Sequence, residues 1–430
     1  MNKVVIGLFA AAGLSVAGYF ISAQMSAKPA APEAATLKTF TAATASAKQV
    51  VSKRQQLLGK EFRAIYITSW TAGINRFQKL VDMAAHSYLN AVVIDIKDST
   101  GKVGYDSKVP LVAQTGAYQK RIRDLDGILK YCRDNKIYTI ARIAVFQDPN
   151  LAKARNDLAI GSKGGGAWKD RKGLAWVDPA SKEVWDYNIA IAKEAAARGF
   201  DEVQFDYVRF PTDGKLKHLS YPVYKGNVPK HEIIRNFFQY VDQQMKPVDV
   251  LTSADIFGLT TMVDDDMNIG QRIQDVADFV DYVCPMIYPS HYPRGHLGMK
   301  NPADHPYRVI YDASMRGMRR LEGKRARMRP WLQDFKLGAA YDKKMILEQI
   351  QAARDAGVSG FSMWNARNVY TEAAYLGKLP GVNSNPPLKG QVTEEIRKHE
   401  ASRALMLNRS TSIKQEKPSI HKPKRKANKA

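Results

Sequence analysis

From Phe62 onward, short runs rich in β-branched and aromatic residues alternate with longer stretches whose apolar residues recur every three to four positions. The short runs are Arg63–Trp70, Ala91–Ile96, Tyr138–Phe146, Glu202–Val208, Val248–Asp255, Val280–Tyr288, Met328–Phe335 and Gly360–Trp364, eight predicted strands. Between them, Phe77–Tyr88, Leu125–Asn135, Glu183–Arg198, His231–Met245, Met267–Ala277, Pro306–Leu321 and Lys343–Ala356 read as helices. Eight strand–helix repeats in about 320 residues predict an α/β fold, a (β/α)8 TIM barrel with enlarged βα loops. An open doubly wound sheet would also alternate strands and helices. However, no glycine-rich phosphate loop follows the first strand, and Gly164-Gly165-Gly166 lies in the third loop without a Gly-Lys-Ser/Thr ending.

The flanks have a different texture. Val4 to Ala23 is an uncharged run of twenty positions behind Lys3, the pattern of a secretory signal peptide or a membrane anchor. Around Ile21-Ser22-Ala23-Gln24-Met25 no clean pair of small residues marks a cleavage site, which favours an uncleaved anchor. Either way the rest is expected to be exported to the periplasm or cell surface, held at the inner membrane if the segment stays. Ser26 to Ser52, rich in Ala, Thr, Lys and Pro, reads as a flexible spacer. The expected organisation is a signal or anchor over 1–25, a linker over 26–60, the barrel over 61–380 and a disordered basic tail over 381–430.

Composition adds exclusions. With 45% apolar and 25% charged residues, wholesale disorder, a collagen-like chain and a polytopic membrane protein are ruled out. A net charge of +23 points toward polyanions, yet thirteen of those charges sit before Lys60 and from Lys389 onward. The tail lacks interleaved aromatics and any nucleic-acid fold motif, so an anionic lipid or envelope polymer is its expected partner rather than specific nucleic acid. Cys132 and Cys284 show no metal spacing and read as buried thiols. Asp264-Asp265-Asp266 reads as a helix cap, and His291 stands alone, so no metal or cofactor is expected.

A barrel places its active site at the C-terminal strand ends, where polar and aromatic residues gather here. In the fourth strand Glu202, Gln204 and Asp206 share one face; Val203, Phe205 and Tyr207 share the other, which belongs against the helices. The same parity turns Ser253 and Asp255 inward on the fifth strand, so two carboxylates converge. Asp206 could instead pair with Arg209 or Arg142, and Asp255 could cap the next segment. Asp95 and Lys97 share an inward face and could pair with each other; Asp98 lies just past that strand end, and Asp334 ends the seventh strand. Trp70, Trp331, Trp364, Tyr288 and Tyr292 near these acids suit the apolar faces of sugar rings. Trp70, Asp95, Arg142, Arg209, Tyr288, His291, Gln333, Trp364 and Asn365 are therefore the candidate substrate-binding residues.

The runs Ala64-Ile-Tyr-Ile-Thr-Ser-Trp70, Asn90-Ala-Val-Val-Ile-Asp-Ile-Lys-Asp98, Ala141-Arg-Ile-Ala-Val-Phe-Gln-Asp-Pro149, Gly199 to Pro211 and Cys284-Pro-Met-Ile-Tyr-Pro-Ser-His-Tyr292 resemble those of the bacterial family called putative glycosyl hydrolase domain. The resemblance covers about Phe62 to Leu376 and implies a glycoside-hydrolase-like TIM barrel. A more distant similarity is to family-18 chitinases, whose fourth strand ends in an Asp-x-x-Asp-x-Asp-x-Glu pattern. There Gln204 replaces the middle acid and Val208 the glutamate that protonates the leaving group, so that mechanism does not carry over. The expectation is a glycoside hydrolase of envelope or extracellular polysaccharide working through two carboxylates. Asp206 is the expected nucleophile or base and Asp255 the acid, with Asp98 and Asp334 as substitutes. A catalytically silent, glycan-binding envelope scaffold is the alternative.

Overall fold

The computed structural model describes residues 52–415, with side chains to residue 405. The expected signal or anchor segment, nearly all of the spacer and the last part of the basic tail fall outside these residues. No helix among the described residues is long and apolar enough to cross a membrane.

Nine parallel strand segments form the barrel: β1 (Phe62–Ile67), β2 (Ala91–Lys97), β3 (Tyr138–Ala144), β4 (Glu202–Asp206), β5 (Leu251–Phe257), β6 (Tyr282–Met286), β7 (Arg327–Met328), β8 (Trp331–Gln333) and β9 (Gly360–Trp364). β7 and β8 occupy one staff of the barrel, interrupted at Arg329-Pro330, where proline has no N–H for the ladder. β7 pairs with β6, whereas β8 pairs with both β6 and β9, and β9 pairs with β1. The sheet therefore closes with eight staves, the expected TIM barrel, and no edge is left unpaired.

Side-chain parity divides the core into two shells. Val203, Phe205, Ala254 and Ile256 pack outward against the helices, while Phe62, Ala64, Tyr66, Val93, Ile140, Leu251, Tyr282 and Cys284 fill the barrel. Both cysteines are buried free thiols. The lower interior also holds a charged pair. Arg329 forms an ion pair with Glu202, both side chains completely buried, and the hydroxyls of Ser253 and Tyr138 donate to the same carboxylate. Arg329 also lies 4.6 Å from the Tyr282 ring centroid.

Several expected elements change. The first strand stops at Ile67 rather than Trp70, because Thr68 accepts a hydrogen bond from the Thr71 N–H and starts the short helix Ser69–Ala72. The expected helix Met267–Ala277 shrinks to Ile273–Val276. Asp265 and Asp266 each accept from the backbone N–H two residues on, at 2.9 Å, and Met267 and Asn268 take positive φ, so these acids close turns rather than cap a helix. Residues expected in the linker form the helix Lys53–Leu57 on the barrel base, where Asp249 receives the N–H groups of Lys53 and Arg54 at 2.9 and 3.2 Å. Much of the expected disordered tail is the helix Lys389–Gln415, docked by fully buried Val392 and by ion pairs Arg308–Glu395 at 2.8 Å and Arg319–Glu400 at 3.0 Å.

Replacing Glu202 by Gln strands the Arg329 charge in a closed interior. We expect a stability loss of about 3–5 kcal/mol, measured as a lowered urea midpoint; an unchanged midpoint would show that the pair contributes nothing to the fold.

Candidate active site

Four consecutive barrel strands each bring one charged group to their C-terminal ends: Asp95 on β2, Arg142 on β3, Asp206 on β4 and Asp255 on β5. Arg142 is their hub. Its Nη1 lies 2.5 Å from Asp95 Oδ1, its Nη2 pairs with Asp206 Oδ2, and its Nε stands 3.4 Å from Asp255 Oδ2. Tyr66 and Trp364, stacked at 4.0 Å, cover the guanidinium with centroids 5.6 and 5.2 Å away. Burial opposes the charge on Arg142, but Asp95 and Asp206 outweigh it and hold the group protonated above its ordinary range. Asp95 is lifted by burial despite Arg142 and the Tyr66 hydroxyl, which donates to its Oδ2.

The two leading acids have different surroundings. Asp206 Oδ1 accepts the N–H of Tyr207 at 2.5 Å, and Tyr207 sits at φ +53°, a left-handed conformation that a tyrosine rarely adopts. This turn ends β4 and fixes the carboxylate at the mouth. Asp255 Oδ1 accepts from Trp331 Nε1 at 2.6 Å, while its Oδ2 is buried without a hydrogen bond. Burial first, and then the neighbouring Asp206, push Asp255 well above the usual carboxylate range. One acid thus sits in a salt bridge and a backbone cap, and the other is arranged to keep its proton.

Both face a cavity of about 250 Å³ lined also by Arg142, Lys172, Tyr207, Arg209, Phe257, Met286, Tyr288, His291, Trp331 and Trp364. His291 and Trp364 are shared with a larger cavity of about 640 Å³, whose other walls include Asp334, Phe335, Tyr341, Asn365 and Arg367. The two adjoin at His291 and Trp364 and together form the groove at the barrel mouth. Among the described residues no group of three His, Cys, Asp or Glu is arranged to hold a metal ion.

A family model described as putative glycosyl hydrolase domain matches residues 64–370. The chain belongs to that family. A hypothetical protein from Ruminiclostridium thermocellum is 44% identical over 44% of this chain and 96% of its own, with a TM-score of 0.41. The PgaB (BpsB) glycoside hydrolase domain from Bordetella bronchiseptica is 11% identical, with 73% of this chain and 95% of that one covered and a TM-score of 0.53. Alpha-L-fucosidase isoenzyme 2 from Paenibacillus thiaminolyticus is 13% identical with a TM-score of 0.51; the match covers 73% of this chain but only 48% of the fucosidase. The last two likenesses show the shared barrel fold. No curated protein matches the sequence.

Within the barrel of this family member the other expected site residues scatter. Asp98 leaves the groove: it pairs with Arg121 at 2.5 Å and accepts from Thr100, contacts that overcome burial and lower its pKa. Trp70 is 56% exposed outside the groove, with the Arg121 guanidinium 4.6 Å from its ring. Asp334 lines the larger cavity, but Thr371 N–H at 2.9 Å, Thr371 hydroxyl at 2.8 Å and Tyr375 hydroxyl at 2.5 Å occupy its carboxylate. Gln333 accepts from Ser290 N–H and hydroxyl, and donates to Phe335 O at 2.9 Å, holding loops together beneath the groove. Asn365 donates to Val369 O at 2.6 Å and accepts from Arg367 N–H at 2.9 Å, folding the loop that walls the larger cavity. His291 lies at the rim, edge-on to Tyr288 at 5.1 Å.

Two pairing expectations are corrected. Lys97 pairs with Asp148 at 2.8 Å, not with Asp95, because the β2–β3 register shifts between Asp95 and Lys97. Arg209 forms no ion pair with Asp206, which Arg142 holds instead. Sequence reasoning missed Lys172, Tyr207 and Phe257 as groove walls. Parity turned Tyr207 outward, and only its left-handed backbone brings it to the cavity; Lys172 follows a glycine-rich loop without a chemical pattern.

The protonated state of Asp255 has a signature in stability. An unfolded aspartate ionises near about 3.9, whereas folded Asp255 keeps its proton to higher pH, so unfolding releases a proton and becomes easier as pH rises between the two values. Asp255→Asn lacks that proton. Its stability relative to wild type should therefore grow by about 1.4 kcal/mol per pH unit within this window, read from thermal unfolding of both proteins at about pH 4.5 and about pH 7.5. A constant gap would mean that Asp255 is ionised in the fold.

Proposed function

We propose that the protein is a glycoside hydrolase of cell-envelope or extracellular polysaccharide, using Asp255 as proton donor and Asp206 as nucleophile or base. The observation that carries this reading is the asymmetry of the two acids: a buried carboxyl lifted in pKa, one oxygen free of hydrogen bonds, beside a carboxylate held by Arg142 and the Tyr207 N–H. Glycosidic cleavage needs that division, because the departing oxygen must receive a proton while negative charge faces the developing oxocarbenium carbon. The Trp364 ring and the groove beyond it supply an apolar face and length for successive sugar rings. Export to the envelope fits the uncharged run from Val4 to Ala23, and the basic residues from Lys417 suit an anionic lipid or polymer there.

One observation favours a second reading, a glycan-binding barrel without turnover. Arg142 engages Asp95 and Asp206 closely, as a purely structural ion network would. In that case the full-length protein binds glycans but releases no product.

A digestion panel of envelope and extracellular polysaccharides with the full chain separates the two. Asp206→Asn should lose cleavage by about 10³-fold or more, and Asp255→Asn by about 10²–10⁴-fold on natural glycan. Aryl glycosides whose leaving group needs no proton should be far less affected by Asp255→Asn. Wild-type activity should fall as pH rises through the raised pKa of Asp255, and that alkaline limb should vanish in Asp255→Asn. Wild-type rates in both variants would sink the assignment.

A further inference from the structure

Arg209 stands three residues beyond Asp206 on the loop after β4, and it is only 9% exposed. Its guanidinium lies among the rings of Trp176, Phe257 and Tyr207, with centroids at 4.6, 4.9 and 5.5 Å. Nη1 donates to Phe210 O at 3.1 Å and Thr212 Oγ1 at 3.3 Å; no ion pair forms with any described residue. The acids nearby are engaged. Asp206 belongs to Arg142; Asp170 accepts from Gln147 Nε2 at 2.7 Å and Trp176 Nε1 at 3.1 Å; Asp213 accepts the Arg171 N–H at 3.2 Å. Burial accordingly lowers the Arg209 pKa, the sign of a desolvated charge without enough compensation.

A buried, unpaired guanidinium on the wall of a binding cavity is an electrostatic vacancy that a ligand can fill. Its planar fork matches a carboxylate or another oxyanion, and aromatic packing keeps it pre-organised. Lys172 on the same cavity is exposed and unpaired among the described residues, and so are Lys336 and Arg367 on the adjoining one. The acid of that second cavity, Asp334, is already saturated by Thr371 and Tyr375. By contrast, Arg316, Arg319, Arg320 and Arg325 on the barrel flank each hold a carboxylate. Arg209, Lys172, Lys336 and Arg367 thus add positive charge to the groove that no ion pair with a described residue offsets.

We propose that the substrate is an acidic polysaccharide, and that the sugar seated beside the Asp206–Asp255 pair presents an oxyanion to Arg209 while further acidic sugars meet Lys172, Lys336 and Arg367. This rests on the groove being a glycan site, as argued above, and extends it to the charge of the glycan.

The test uses the full chain with hexasaccharides of galacturonate, mannuronate and hyaluronan, their carboxyl-reduced neutral counterparts, and a sulfated neutral hexasaccharide. Binding is followed by tryptophan fluorescence, and products are measured in the same samples. We expect at least one acidic hexamer to bind about tenfold or more tightly than its neutral counterpart, with a preference that weakens as salt rises. Preference for uronate or sulfate identifies the oxyanion. Arg209→Gln should remove most of the preference, whereas Arg209→Lys retains part of it. Should Arg209→Gln fail to fold, the exposed substitutions Lys172→Gln and Arg367→Gln carry the variant test, each lowering the preference a few-fold. Equal binding of acidic and neutral hexamers overturns the inference, even if a neutral glycan is cleaved and hydrolysis stands. Preferential binding of an acidic hexamer without cleavage supports the inference while hydrolysis falls. Binding of none overturns both.

Discussion

The upper half of the barrel is organised by one guanidinium. Arg142 must sit on β3 with its charge desolvated, and a desolvated cation is tolerated only where carboxylates surround it with good geometry. β2, β4 and β5 each supply one, and the stacked Tyr66 and Trp364 close the space above. The requirement fixes the inward-facing residue on four neighbouring strands at the same depth. It also differentiates the acids, since Asp206 receives the short contact and Asp255 the long one. The electrostatic inequality between them follows from how a three-nitrogen fork divides itself among three partners.

A second buried arginine one level down makes an instructive contrast. Arg329 gives its fork to a single glutamate whose remaining capacity is filled by hydroxyls from β3 and β5. Both side chains of that pair are fully buried, although Arg329 Nε also lacks a hydrogen bond. At the mouth, by comparison, Asp255 Oδ2 and Arg142 Nε lack hydrogen bonds, and cavity space adjoins them. The same residue types thus serve cohesion at one level and, at the next, place unmet bonding capacity beside a cavity that a ligand can enter.

Much of this was legible in the sequence because strand alternation is a strict period-two rule. Once Val203, Phe205, Ala254 and Ile256 were turned toward the helices, Asp206 and Asp255 had to face the interior, and they do. The rule fails where the backbone departs from it. The shifted register between Asp95 and Lys97 sends the lysine to Asp148, and the left-handed Tyr207 rotates an outward residue into the groove. Trp70 misled for a related reason, since Thr68 ends the strand before the tryptophan is reached. Helix Lys389–Gln415 was hidden because charged and polar residues outnumber its apolar ones, so that Val392 and Ile396 give its apolar contacts and arginines of the barrel flank hold the rest.

The helix Lys53–Leu57 carries a geometric consequence. It is fastened across the base by Asp249, by Asp201 at 2.7 Å from Lys53 and by Asp281, all of which lie just ahead of barrel strands. The groove opens at the opposite pole. Ser52 therefore enters the described body at the closed end, and the helix that follows it leaves the mouth unobstructed.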